Sequence, residues 1–158
     1  MNRVSVRHIH DGDTLTLADG NRVRIIGINT PELAYKDKPD QPLAVEARDR
    51  LSSYLQSGHA LIVYDEESHD KYGRILAHVF DEQGNNVGEA LIREGLGFAV
   101  SIPPSLRYRQ CYRDAERHAR HAELGVWSNP YFNPIAAHKL KYSGFQRVQG
   151  CIQRTRKY

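Results

Sequence analysis

The segment VSVRHIHDGDTLTLADGNRVRIIGI, residues 4–28, decides the fold. Val4, Val6 and Ile9 outline a first strand, closed by the polar stretch His10-Asp11-Gly12-Asp13. Leu15-Thr16-Leu17 alternates with a period of two, and Asp19-Gly20 behind it is a strong hairpin turn. Residues 22–28 then read as a third strand. The links between the three are too short for a helical crossover, so they form an antiparallel meander rather than a βαβ unit.

Working outward, residues 33–42 hold two prolines, two lysines and two aspartates, which suits an exposed loop. A helix is expected from about Pro42, with Leu43, Ala47, Leu51 and Tyr54 on one face and a stop at Gly58. Residues 60–64 and 75–80 read as fourth and fifth strands, and residues 87–94 as a short helix ended by Gly95. The last helix places Tyr108, Cys111, Tyr112, Ala115, Ala119 and Ala122 on one face, opposite Arg109, Arg113, Glu116, Arg117 and Arg120, with Gly125 placed to end it. The pattern predicts a mainly β chain with helices (α+β): a five-stranded OB-fold Greek-key barrel carrying three helices as a single domain over residues 1–132.

The chain has 158 residues, long enough for a core without metal or disulfide staples. Its net charge of +3 is unevenly spread. Lys139, Lys141, Arg147, Arg154, Arg156 and Lys157 make residues 133–158 a basic extension, and without them 16 basic residues face 19 acidic ones. Such a tail suits a polyanion, and it equally suits a solvated terminus. Residues 143–152 alternate like the opening strand of a further β module. No run approaches 18 apolar residues, so no membrane span is expected. No secretory signal precedes the first strand; an extracytoplasmic place is expected only if one has been removed. Cys111 and Cys151 fit no zinc spacing and no disulfide framework.

The polar clusters fall at strand ends. Asp11-Gly12-Asp13-Thr14 is a turn that also presents the Asp13 carboxylate at a barrel mouth, where it suits a hard cation. Arg24 is a charged residue on a strand face shared by period with Ile26 and Ile28, and so asks for a partner. Asn29-Thr30-Pro31-Glu32 holds a carboxylate on stiffened backbone. Asp70-Lys71-Tyr72-Gly73-Arg74 offers a second guanidinium beside a tyrosine, able to grip phosphate oxygens. Taken singly, these are ordinary turns and surface charges. Together they are a phosphoryl-transfer set: arginines and a metal to neutralise phosphate, and a glutamate to take a proton from water. The histidine pairs His8/His10 and His118/His121 bring no third ligand and read as solvated surface. Walker loops, G-x-S-x-G and Cys–His nucleophile patterns are absent.

These segments, with residues 89–96 and 124–128, resemble the staphylococcal-nuclease-like (thermonuclease) family, in order and spacing over residues 4–130. The resemblance implies a calcium-dependent, monomeric phosphodiesterase acting on DNA and RNA, in which water attacks phosphorus and 3′-phosphate ends are left. Position by position, it implies Asp13, Asn29 and Thr30 (through its carbonyl) as the Ca²⁺ site, and Glu32 as general base. Arg24 and Arg74 match the phosphate-gripping arginines, and Tyr72 matches the tyrosine lining the nucleotide pocket. Relatives of this kind are often exported.

The family pattern has aspartate where this chain has Asn29, which lowers ligand charge and implies weaker Ca²⁺ binding or another divalent preference. Residues 97–104 also lack the tyrosine that stacks on the base; Phe98 and Tyr108 are the aromatic candidates to replace it. The competing expectation is a non-catalytic OB-fold module that binds nucleic acid or a protein partner.

Overall fold

The computed structural model describes residues 1–140 and 145–150. β1 (Asn2–Ile9) pairs antiparallel with β2 (Thr14–Leu17), and β2 with β3 (Arg22–Ile25). The turn at Asp19-Gly20 closes as expected, with Gly20 at φ +90° and its N–H on the Leu17 carbonyl. β5 (His59–Val63) and β6 (Ile75–Phe80) complete a closed barrel in the order β1-β2-β3-β6-β5. β3 and β6 are its parallel pair.

One strand serves two neighbours. Asn2 to Ser5 of β1 pair with β5, while Val6 to Ile9 pair with β2, and a bulge between Val6 and His8 marks the change. Bulges of this kind bend a strand around a barrel corner. Leu15, Val23, Ile25, Ala60, Ile62, Ala77 and Val79 point inward and are essentially dry.

The third strand departs from its sequence reading. Gly27 takes φ +88°, a conformation that favours glycine, and the strand breaks there. β4 (Ile28–Asn29) leaves the barrel and pairs with β7 (Phe98–Ala99) instead. Arg24 therefore does not share a face with Ile28, which is buried in the core. The break lets the ring of Tyr112 pass over Gly27, where any Cβ would run into it.

Three helices cover the barrel. α1 (Ala44–Tyr54) buries Ala44, Ala47 and Leu51, α2 (Val87–Arg93) buries Val87, Leu91 and Ile92, and α3 (Arg109–His121) buries Tyr112, Ala115 and Ala119. Asn86 caps α2, its side chain accepting the Glu89 N–H at 3.1 Å. Cys111 faces solvent rather than the core. α3 also ends before Gly125: Glu123 adopts φ +51° and the Leu124 N–H returns to the Ala119 carbonyl, a Schellman closure made without glycine.

Beyond the barrel, β8 (Ile135–Ala136) and β9 (Val148–Gln149) pair in parallel. Phe145 packs 5.1 Å from Phe98, and the Arg147 guanidinium lies 4.5 Å over Trp127. Cys151 and the basic residues Lys141, Arg154, Arg156 and Lys157 lie outside the described residues.

Candidate active site

The β1–β2 connection is a tight loop. The His10 N–H bonds the Thr14 carbonyl at 2.9 Å, and Asp11 Oδ1 accepts the Asp13 N–H at 2.9 Å. Gly12 lies against α1; a Cβ there would stand 2.7 Å from Ala47 Cβ and 2.8 Å from Thr30 Cγ2. The loop is thus pinned between helix and strand, and it turns Asp13 inward to 3% exposure.

Asp13 gathers the segments that the sequence keeps apart. Its Oδ2 accepts the Thr30 N–H at 2.9 Å and the Thr30 hydroxyl at 3.2 Å, and pairs with Arg24 Nη2 at 3.1 Å. Its Oδ1 accepts the Thr14 hydroxyl at 3.1 Å. The same Arg24 Nη2 reaches Asn29 Oδ1 at 3.2 Å, while Nη1 donates to the Ile25 carbonyl. Arg24 thus has Asp13 as its ion-pair partner, although the shared face with Ile28 that led to expecting one does not exist.

Glu32 stands at the rim. Pro31 before it is buried, and its backbone is clasped to Gln41, whose side chain accepts the Glu32 N–H at 2.9 Å. The residue reaches solvent, yet its carboxyl is crowded enough that desolvation raises its pKa. The Asp13 charge adds to the rise, while Arg24 and Arg74 oppose it. Asp11 responds in the same way and is pushed up to about 6, first by burial and then by the charge of Asp13.

Arg74 arrives from the far side of the sequence on the loop entering β6. Asp70 holds it, accepting Arg74 Nε at 2.7 Å and, through its other oxygen, the Arg74 and Tyr72 N–H groups at 3.0 and 2.9 Å. Against its own desolvation, these bonds keep Asp70 below the usual carboxylate range. Tyr72 is 73% exposed, with the Arg74 guanidinium 5.7 Å from its ring centre.

Asp13, Arg24, Asn29 and Thr30 thus form one hydrogen-bonded knot, and Glu32 lies within the fields of Asp13, Arg24 and Arg74. Tyr72 joins through the Arg74 loop. Asp11 and Asp70 gained no role from sequence reasoning, although both lie inside the quoted segments. A carboxylate two residues before Asp13, and one four before Arg74 in a tight turn, were the available signals.

Phe98 and Tyr108, the aromatic candidates for stacking on a base, are both packed against other rings. Phe98 is 3% exposed beneath Trp127 and Phe132, and Tyr108 packs edge-on against His78 and Phe80. The most exposed aromatic rings among the described residues are Tyr72 and Tyr35, the latter in the loop after Glu32.

The Asp13 carboxylate and the Asn29 amide oxygen, both hard donors, meet at Arg24 Nη2, and Thr30 touches Asp13 through its N–H and hydroxyl. That donor class takes hard cations such as Ca²⁺, Mg²⁺ or Mn²⁺. Among the described residues no trio of His, Cys, Asp or Glu is set to hold a metal, so a cation here would need oxygens other than carboxylates as well. The fit is supported by Arg24 Nη2, a positive group on which the Asp13 and Asn29 oxygens already converge.

The chain matches known proteins over most of its length. A family model described as staphylococcal nuclease homologue matches residues 22–129. A thermonuclease of Staphylococcus intermedius is 37% identical over 127 residues, covering 77% of this chain and 74% of its own. A thermonuclease of Staphylococcus hyicus is 34% identical over 129 residues, covering 78% and 75%. Endonuclease YncB of Bacillus subtilis (strain 168) is 33% identical over 123 residues, covering 75% and 58%.

Proposed function

Because the chain belongs to the staphylococcal nuclease family, we propose that it is a metal-dependent nuclease hydrolysing phosphodiester bonds of DNA and RNA at this site. The observation that carries the reading is the meeting of one glutamate with two guanidiniums and a buried aspartate, from four separated segments.

Glu32 is the general base. Its raised pKa brings it nearer the operating pH than a free glutamate, and so strengthens its pull on a water proton. Arg74, steadied by Asp70, presents its fork to the phosphate oxygens and neutralises charge as phosphorus gains a fifth oxygen. Arg24 acts from the other side, and also holds the Asp13 and Asn29 oxygens in register. Tyr72 lines the place of the nucleotide. Asp13, Asn29 and the Thr30 carbonyl would hold a divalent cation, which when bound supplies Lewis-acid charge to a phosphate oxygen. Loss of the 5′-oxygen leaves 3′-phosphate ends. Calcium is the first candidate, and the Asn29 amide in place of a carboxylate favours a weaker site or another divalent ion.

Asn29 also favours a second reading, a binding module that no longer cleaves. Supercoiled plasmid and RNA incubated with Ca²⁺, Mg²⁺ or Mn²⁺, each against EDTA, separate the two. The enzyme reading expects nicking that EDTA abolishes. Intact DNA and RNA with all three cations sink it.

A further inference from the structure

A cleft of mixed polar and apolar lining opens between β1 and α1. It has a volume of about 480 Å³ and is lined by Arg7 and His8 of β1 with His10 just beyond it, and by Arg48 and Ser52 of α1 with Leu55 at its C-terminal end. The β1 bulge between Val6 and His8 lies within its strand wall. The rings of His8 and His10 meet edge to face at 4.6 Å. Arg7 has no salt-bridge partner among the described residues, and Arg48 pairs only with its neighbour Asp49. An exposed pair of that kind holds with little free energy, so the Arg48 guanidinium is open to exchange.

The cleft is tied to the proposed reaction centre through both of its walls. On the strand side His10 directly precedes Asp11 in the chain. On the helix side Ala47, which Gly12 presses against, immediately precedes Arg48. Two guanidiniums and two imidazoles, of which His10 already holds the Thr16 hydroxyl at 2.7 Å through Nε2, therefore continue from the Asp11–Asp13 loop. The body of the chain is acidic on balance, so this local excess of donors is not a reflection of bulk charge.

We propose that the β1–α1 cleft is a second phosphate subsite, taking the sugar–phosphate backbone of the same strand beyond the scissile phosphate. Arg7 and Arg48 grip phosphate oxygens there, with His8 as a further donor and His10 held by Thr16 in the wall. Recognition through backbone alone carries no sequence preference, which suits a nuclease of broad substrate range. The proposal rests on the nuclease reading for its substrate.

The test pairs substrate length with binding. Wild type and Arg7→Gln/Arg48→Gln are compared on a thymidine dinucleotide and on a thymidine 12-mer. Both arginines lie outside the reacting cluster. The KM for the 12-mer is expected to rise about tenfold, with kcat unchanged and the dinucleotide KM unmoved. Fluorescence anisotropy of the labelled 12-mer in EDTA should show weaker binding, with a salt slope smaller by about 0.7 for each phosphate that is no longer neutralised. An unchanged 12-mer KM and salt slope overturn the subsite, as does an equal rise on both substrates, which would locate the damage in the reacting cluster. Wild type that binds the 12-mer through Arg7 and Arg48 but cleaves neither substrate defeats the nuclease reading and leaves the cleft standing.

Discussion

His78, in the barrel wall on β6, and Asp13, in the loop ahead of β2, are both polar side chains withdrawn from water, at 1% and 3% exposure. Around His78 every bond is answered. Nε2 meets Asp65 Oδ2 at 3.2 Å and Nδ1 meets the Tyr112 hydroxyl at 2.7 Å, which is joined by Asn86 Nδ2 at 3.2 Å. Burial holds the His78 pKa below its ordinary value despite the carboxylate beside it. A neutral imidazole facing Asp65 must carry its proton on Nε2, so Nδ1 accepts from Tyr112. Around Asp13 the hydrogen bonds are equally complete, but the charges are not balanced. Asp11, Asp13 and Glu32 crowd Arg24, and both Asp11 and Glu32 are driven up in pKa. The first network closes on itself. The second is left with carboxylates that a cation or a proton would relieve, which is the mark of a site rather than a strut.

Glu32→Gln should separate the two most sharply. It keeps the shape and removes the base, so cleavage of plasmid should fall about 10²- to 10⁴-fold. Stability in urea should stay within about 0.5 kcal/mol. Retained cleavage would break the distinction, because Glu32 would then be only one more rim charge.

Gly27 is where the two regions touch, lying between Arg24 and Asn29 in sequence and beneath the Tyr112 ring in space. Gly27→Ala meets both a left-handed backbone and an occupied space. A loss of about 3 kcal/mol or more is expected, read from the urea midpoint. A loss under about 1 kcal/mol would mean that the ring can swing away, and that the network is looser than its distances suggest.

This junction also marks where sequence reasoning stopped. Asp13, Arg24, Glu32 and Arg74 were legible singly only as turns and surface charges, because Asp-Gly, Thr-Pro-Glu and Tyr-Gly-Arg are local signals, and only the family resemblance gave them roles. The five barrel strands were legible because alternation is local too. The break at Gly27 was not, since Ile26 and Ile28 continue the period whether or not the glycine turns left-handed. His78 passed unremarked inside an apolar strand. Its partners Asp65 and Tyr112 come from other elements, and no spacing rule links them. Phe98 and Tyr108 looked available for a nucleotide because aromatic residues do not announce which neighbours will cover them. The apolar pattern of α3 likewise put Cys111 inside, and tertiary packing of Tyr112, Ala115 and Ala119 leaves it in solvent.

His78→Leu should cost about 2–4 kcal/mol, because the Asp65 carboxylate and the Tyr112 hydroxyl both lose a buried partner. It also carries a pH signature. The unfolded chain takes up a proton on His78 near the ordinary value of 6.5, while the folded chain resists until lower pH. The unfolded state therefore binds more protons below about pH 6.5, and wild-type stability falls as pH drops through that window. Above it this histidine contributes no slope. Urea unfolding at pH 5 and pH 7 should show a smaller difference in the leucine variant than in wild type. An identical difference would mean that His78 titrates alike in both states.

Tyr112→Phe asks the smallest change of the molecule and isolates the hydroxyl from the ring. The ring stays over Gly27 and in the core, so no cavity opens. The missing hydroxyl leaves His78 Nδ1 without its donor and takes one partner from Asn86, whose Oδ1 still caps α2. A destabilisation of about 1–2 kcal/mol is expected in urea, with cleavage unchanged at a temperature where the variant is folded. The direction of the activity result matters more than its size. Should cleavage fall with the hydroxyl, then the closed network helps to place β4 and Asn29 beside Arg24, and structure and site are one mechanical unit. Should it hold, the barrel carries two polar clusters that share a wall and answer to different demands.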